Sequence, residues 1–334
     1  MASRVPWRIR DGTMTDESLL YLNRADVAGL GITTGDIVET IEQLLRQVAA
    51  GKAWNTPKAQ ILPGDGRLFM SMLAASSEPR LMAVKSLGMN PANPAQGLET
   101  IGALITVFDG ESGLPRAIMD GDWITGVRTA GLSATAAHHL GRKDARTIAF
   151  VGAGLQARCH LDAFAALFPL RRVQVLGRGA ANRERLLAKA REMGLEAVAC
   201  EDGDGVLDGA DLVVTSVPHT GIAEPFLDPD RLVPGSFVAM TDLTRPWQRA
   251  GLARLDRIVI DDAVQERAMA DPTIPPDLIA GDLKDLATGA IPGRRDDEER
   301  IAFAFRGLAL ADLALAILCY QRALDAGVGR RLER

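Results

Sequence analysis

Apolar positions recur at two spacings along this chain, and the change of spacing divides it. Leu19 to Tyr21 is a short apolar run that predicts a strand. Val38, Ile41, Leu45 and Val48 then follow helical spacing. Thr33, Thr34 and Asp36 supply N-cap chemistry for that helix, and Gly51 closes it. From Trp54 to Met119, short apolar runs alternate with turn residues. Gly66-Arg67 precedes LFMSML, Asn90-Pro91 and Asn93-Pro94 follow, then GALITVFD ending at Asp109, a Gly110–Gly113 turn and PRAIMD. This pattern predicts a mostly antiparallel, strand-rich layer. Asp122 to His139 reads as a helix lead-in and an alanine-rich helix, RTAGLSATAAHH.

From Arg146 the rhythm becomes strand, helix, strand. TIAFV (147–151) is continuously apolar, as in a sheet covered on both faces. A helix over 155–168 leads to the strand RVQVL (172–176), and DLVVTSV, SFVAMTD and RIVIDD follow. Strands alternating with helices predict a parallel, doubly wound α/β sheet. Residues 271–300 read as loop, rich in proline and charge. A last helix over 307–324 is apolar on most faces and is expected to pack deep, back on the first domain.

Composition narrows the function classes. At 334 residues, two domains are expected. Lys plus Arg number 38 against 43 Asp plus Glu, a net charge of −5. No basic surface is available to attract nucleic acid or an anionic membrane. Three widely spaced cysteines, Cys159, Cys200 and Cys319, argue against a disulfide framework or structural zinc and suit a reducing cytoplasm. The most apolar stretch, GLALADLALAILCY, is too short for a membrane span and carries Asp312. Residues 1–17 have charges but no apolar core, so they predict a loose extension and not a secretory leader.

Three constellations carry candidate chemistry. The first is Gly152-Ala153-Gly154-Leu155-Gln156-Ala157, a GxGxxA directly after an apolar strand and opening a helix. Gly152 makes the tight turn, Gly154 admits a pyrophosphate, and the small third residue lets helix and strand pack closely. The free N–H groups of the helix start face the phosphates. At the tip of the second strand stand Gly177-Arg178-Gly179, with no carboxylate to hold a ribose 2′-OH. Arg178 reads as a partner for a 2′-phosphate, which favours NADP(H) with NAD(H) as second choice; the alternative is a solvated loop arginine.

The second constellation is Lys85, Thr100 and Arg128 in the first domain. Arg128 is placed at the head of an apolar helix, where the dipole disfavours a cation without a partner. A substrate carboxylate and an internal ion pair are equal readings of that partner. The third is Asp242, at the carboxyl end of SFVAMTD, the edge where open α/β sheets bind ligands. Alone it reads more simply as a turn or capping residue. The four histidines show no metal spacing, and no metal is expected.

These residues resemble the ornithine cyclodeaminase/mu-crystallin family over nearly the whole chain from Leu19. The most specific stretches are Val84 to Ala134, VGAGLQAR (151–158) and GLALADLALA. The resemblance implies a Rossmann-type dinucleotide domain (141–304) and a strand-rich α+β substrate and dimerisation domain (1–140, with 305–334 returning to it). Lys85 looks like the family's active-site lysine, Thr100 its cofactor-contacting threonine, Arg128 its substrate-carboxylate arginine and Asp242 its catalytic acid or base. Leu155 and Gln156 match the phosphate turn, and Ser216 and Thr241 are assigned to the cofactor with them. Where cyclodeaminases carry a second arginine, this chain has Thr56-Pro57-Lys58, so Lys58 is expected to take that place. The glycines found around the cyclodeaminase aspartate are absent beside Asp242.

The resulting expectation is a homodimeric, NAD(P)-dependent imine reductase or amino acid dehydrogenase acting on a small α-imino or α-amino acid. Lys58 and Arg128 bind its carboxylate, and Asp242 with Lys85 handles the proton on nitrogen. The rivals are a cyclodeaminase using the cofactor without net redox, and a non-catalytic NADP(H)-dependent ligand binder.

Overall fold

Strand β1 (Ser18–Leu22) turns Leu20 and Leu22 inward. A short helix α1 (Arg24–Ala28) follows, then α2 (Thr34–Ala49). Helix α2 begins as its capping residues predict. Thr33 Oγ1 accepts from the Asp36 N–H, and the Asp36 carboxylate accepts from the Thr33 N–H. Its Ile37, Val38, Ile41, Leu44 and Leu45 form one buried stripe. The chain next lays down β2 (Ala53–Asn55), β3 (Ala59–Ile61), β4 (Leu68–Ser77), β5 (Arg80–Met89), β6 (Ile101–Asp109) and β7 (Pro115–Asp120). Strands β4 to β7 form an antiparallel meander. In β5 the alternation places Leu81, Ala83, Lys85 and Leu87 on the buried face, so a lysine shares the core face with aliphatic neighbours.

Helix α3 (Gly121–Leu140) starts directly after β7, with the Asp120 carboxylate accepting from the Trp123 N–H. The predicted lead-in is therefore helical, and Arg128 lies in the helix interior rather than at its first turn. The dipole argument for a partner of Arg128 does not hold; its burial supplies the argument instead.

The structure, a computed structural model, describes residues 18–218 and 224–334. The expected N-terminal extension (1–17) and His219 lie outside them. The chain separates into two compact units, 1–128 with 308–334, and 129–307. The divisions differ from the expected 140/141 and 304/305, and the first falls within α3.

The second unit contains β8 (Thr147–Val151), α4 (Leu155–Ala165), β9 (Arg172–Leu176), α5 (Ala180–Glu192), β10 (Glu196–Ala199), α6 (Gly203–Leu207), β11 (Leu212–Thr215), β12 (Phe237–Met240), β13 (Arg257–Ile260), α7 (Ala263–Arg267), β14 (Ile279–Asp282), α8 (Leu283–Thr288) and β15 (Ile301–Ala304). All its strand pairs are parallel, in the order β10-β9-β8-β11-β12-β15-β13-β14. The first five reproduce the doubly wound order 3-2-1-4-5, with the switch point between β8 and β11. Strands β11, β12, β13 and β15 are buried at every residue, which explains their unbroken apolar sequence. The predicted loop 271–300 is corrected. It holds β14 and α8, whose Asp282 and Asp285 form a capping box. These elements are four and six residues long, too short for periodicity to reveal.

The chain then returns to the first unit as α9 (Ala309–Ala326) and β16 (Arg330–Glu333). Strand β16 pairs antiparallel with β1, and that sheet runs β16-β1-β7-β6-β5-β4-β2, with β3 also on β4. Helix α9 packs against α2 and against β4 and β5. It is buried almost without interruption from Ala309 to Gln321, and Asp312 is buried with it.

Candidate active site

The glycine turn after β8 is built around close backbone approach. Gly152 has φ +97°, and a Cβ there would meet the Ser216 carbonyl oxygen at 2.6 Å. Only glycine fits without displacing β11's continuation. A Cβ on Gly154 would meet nothing within 4 Å. Its lack of a side chain keeps space open in front of the N-terminus of α4, where no side chain caps the free N–H groups. These residues open onto a cavity of about 1060 Å³ lined by Gly152, Gly154, Arg178, Arg183, Ser216 and Phe226 among others. Ser216 Oγ is buried with no hydrogen-bond partner, as is Gln156 Oε1. Arg183 donates to the Gly177 carbonyl at 3.3 Å and so stiffens the loop that carries the exposed Arg178. Asp202, at the start of α6, and Glu224 also line the cavity.

Asp242 follows β12 and is 6% exposed. Its carboxylate is not a helix cap. Oδ1 accepts from Thr215 Oγ1 at 2.9 Å and Oδ2 from the Val217 N–H at 3.1 Å. The buried Trp247 indole in turn donates to Thr215 Oγ1 at 3.4 Å. Burial pushes the Asp242 carboxyl up to about 6, against the two hydrogen bonds, which favour the ionised form. The backbone turns sharply beyond it, with Leu243 and Thr244 both at left-handed φ (59° and 58°). Such a conformation is costly for non-glycine residues, and it is held here by the Trp247 N–H donating to the Thr244 carbonyl.

In the first unit, Lys85 is 1% exposed, and its Nζ donates to Asp312 Oδ1 at 2.8 Å. Arg128 Nε lies 3.2 Å from the same oxygen. Burial foremost, with the Arg128 charge, lowers Lys85 to about 8, and Asp312 opposes the shift. Lys58, half-buried just before β3, adds a further repulsive charge. Two cations therefore share one carboxylate. Sequence reasoning missed Asp312. The signal was present as the lone acid inside GLALADLALAILCY, because a charge on a helix apolar all round needs a buried partner.

The remaining sequence candidates are more dispersed. Gly152, Gly154, Arg178 and Ser216 line the cavity, whereas Leu155, Gln156 and Thr241 do not. Thr241 Oγ1 donates to the Thr215 carbonyl at 2.7 Å, which ties the ends of β11 and β12 together. Thr100 is half-buried immediately before β6, and its carbonyl accepts from the Asn90 N–H. His160 is fully buried with Nε2 2.9 Å from Ser133 Oγ, and burial lowers it to about 4, so it packs as a neutral ring. Among the described residues, no group of His, Cys, Asp and Glu is placed to hold a metal ion, and no helix is long and apolar enough to cross a membrane.

The profile of the ornithine cyclodeaminase/mu-crystallin family matches residues 19–327. A Delta(1)-pyrroline-2-carboxylate/Delta(1)-piperideine-2-carboxylate reductase of Azospirillum brasilense is 30% identical over 308 residues, covering 92% of this chain and 96% of that protein. An alanine dehydrogenase of Archaeoglobus fulgidus is 26% identical, covering 94% and 98%. Among solved structures, the iminosuccinate reductase of Paracoccus denitrificans in complex with NAD+ superposes with a TM-score of 0.81 at 25% identity, covering 95% of this chain and all of that one.

Proposed function

This chain belongs to the ornithine cyclodeaminase/mu-crystallin family, and from that premise we propose that it is a pyridine-nucleotide-dependent oxidoreductase of a small α-imino or α-amino acid, an imine reductase or amino acid dehydrogenase. The observation that carries this reading is the buried Lys85–Arg128 pair, two cations against the single carboxylate of Asp312. Such a pair favours a ligand that brings a second carboxylate. The relatives that reduce pyrroline-2-carboxylate or act on alanine support the same class of substrate.

The second unit suits the cofactor. Gly152, Gly154 and the uncapped start of α4 hold its phosphates, the orphaned Ser216 hydroxyl finds a partner, and Arg178 takes a 2′-phosphate, so NADP(H) is preferred. Bound there, the nicotinamide supplies or accepts the hydride exchanged with the substrate Cα. Arg128 and Lys58 hold the substrate carboxylate. Lys85, expected from the sequence to share the proton on nitrogen with Asp242, is reassigned to that carboxylate because it lies beside Arg128 on Asp312. Asp242 donates the proton that makes an imine nitrogen electrophilic, and accepts it in the reverse direction. With its carboxyl raised to about 6, it serves as donor below that pH and as acceptor above it. Thr100, Thr241, Leu155 and Gln156 are assigned to the cofactor by the family resemblance alone, since none of them lines the cavity.

The assembly is a homodimer through the outer face of the first unit's sheet, where Trp54, Ile61, Phe69, Leu73 and Leu104 are exposed. The three free cysteines suit the cytoplasm.

The test is a panel of cyclic and linear imino acids, and of 2-oxo acids with amines, given with NADPH or NADH. The expected result is consumption of NADPH. Ammonia and proline released from ornithine, with no build-up of reduced nicotinamide, overturn the reading in favour of a cyclodeaminase. Arg178→Ala should weaken NADPH binding by about 10- to 100-fold, the worth of a charge-assisted bond, and leave NADH binding nearly unchanged.

A further inference from the structure

Asp312 is a carboxylate whose place near the helix start is ordinary but whose burial is not. It sits in the first turn of α9, a helix whose neighbours Leu310, Ala311, Leu313 and Ala314 are buried aliphatics, and it is itself 2% exposed. A buried charge persists only with partners. Its Oδ1 has two, Lys85 Nζ at 2.8 Å and Arg128 Nε at 3.2 Å, while Oδ2 has no hydrogen-bond partner. Arg128 Nε, though close, makes no hydrogen bond of good geometry. The cluster is thus incomplete in two ways: it carries an excess positive charge, and it holds an unused donor and an unused acceptor.

We propose that Asp312 is the positioning residue of this cluster, clamping the Lys85 ammonium beside the Arg128 guanidinium so that the pair can grip a substrate carboxylate. The inference rests on the reading of Lys85 and Arg128 as a carboxylate site. The groups that act on Lys85 come from every side. Asp312 on α9 is attractive, Arg128 on α3 and Lys58 before β3 are repulsive, and Met72 and Ile105, its register partners on β4 and β6, are apolar. Among these, Asp312 is the one group that favours the charged lysine. Without it, burial and two like charges work together to remove the proton.

The probe is pyrrole-2-carboxylate, a planar carboxylate with no proton to lose in the range of interest and no imine to reduce. Its affinity for the full-length protein, with NADP+ present, is followed by calorimetry as pH rises from 6 to about 10. Binding to the unsubstituted protein should weaken as pH passes about 8, where Lys85 loses its charge. In Asp312→Asn that break should move down by about one pH unit or more. A break that stays in place, whatever happens to thermal stability, overturns the proposal and leaves Asp312 a packing residue.

Should Asp312→Asn fail to fold, Asp312→Glu gives an independent answer. The retained charge keeps the break near 8, while the displaced carboxylate lowers affinity at least several-fold; unchanged affinity overturns the proposal. Failure of the oxidoreductase reading is distinguishable. It would show as no turnover of any imine, with carboxylate binding and its pH break intact.

Discussion

Asp242 owes its chemistry to the balance between burial and two hydrogen bonds. Burial raises its proton affinity, and the Thr215 hydroxyl and Val217 N–H lower it. As a proton donor, the group is competent below about pH 6, so the rate of imine reduction should fall as pH rises through that value. As an acceptor in amino acid oxidation it works above about 6, so that rate should rise over the same range. Thr215→Val removes a bond made to the ionised form. The Asp242 limb should then move up by about one to two units, since a hydrogen bond to a charged group is worth about 1.5–3 kcal/mol. Rate profiles in both directions check this. An unmoved limb would mean that another group titrates there.

Among the elements, the turn from β8 into α4 is the one with the least tolerance. The β8 strand ends at the sheet's switch point, and its turn must pass under the Ser216 carbonyl. Gly152→Ala places a methyl 2.6 Å from that oxygen at a φ of +97°. Backbone strain alone costs about 1–2 kcal/mol, and the overlap adds to it. We expect a loss of at least about 2 kcal/mol of stability in the second unit and loss of dinucleotide binding, measured by thermal denaturation and nicotinamide fluorescence. Gly154→Ala makes the contrast. Its methyl meets no protein atom, so stability should hold while cofactor affinity falls. Equal stability losses in the two variants would contradict this division of roles.

For the whole molecule, the chain's return is decisive. The first unit begins with β1 and is completed only when α9 and β16 come back after the entire second unit has been threaded. Its sheet buries one face under α2 and α9. On the other, register aligns Leu73 with Val84, Ser86 with Leu104, and Ile61 with Phe69. The result is a largely apolar face, with Ser71 and Ser86 among its aliphatic and aromatic side chains, of the kind monomers rarely expose. We expect a dimer by size-exclusion chromatography with light scattering, and a monomer, still folded, for the double variant Leu73→Asp, Leu104→Glu. Two like charges facing their symmetry copies would oppose association. A dimer that survives both charges would place the interface elsewhere.

The sequence by itself determined much of this protein, because the signals concerned are local. Strand β8, the GxGxxA turn and helix α4 declare themselves from neighbouring residues, as do the Thr33 capping box and the strand-and-turn rhythm of β4 to β7. Asp242 was singled out by its place after an apolar strand and Lys85 by the family resemblance, while the helix-end argument for Arg128 did not survive the structure. What only tertiary structure decided is which charges meet. Lys85 and Asp312 are separated by 227 positions, and no periodicity links a lysine on β5 to an acid on α9. The same holds for Thr215 and Trp247 around Asp242. Strands β10, β14 and β15 escaped notice because four residues carry too little pattern, and parallel pairing partners lie far away in sequence. A buried charge is stable only where the fold brings it a partner, so the sequence could mark each ionisable residue as unusual but not name its counterpart.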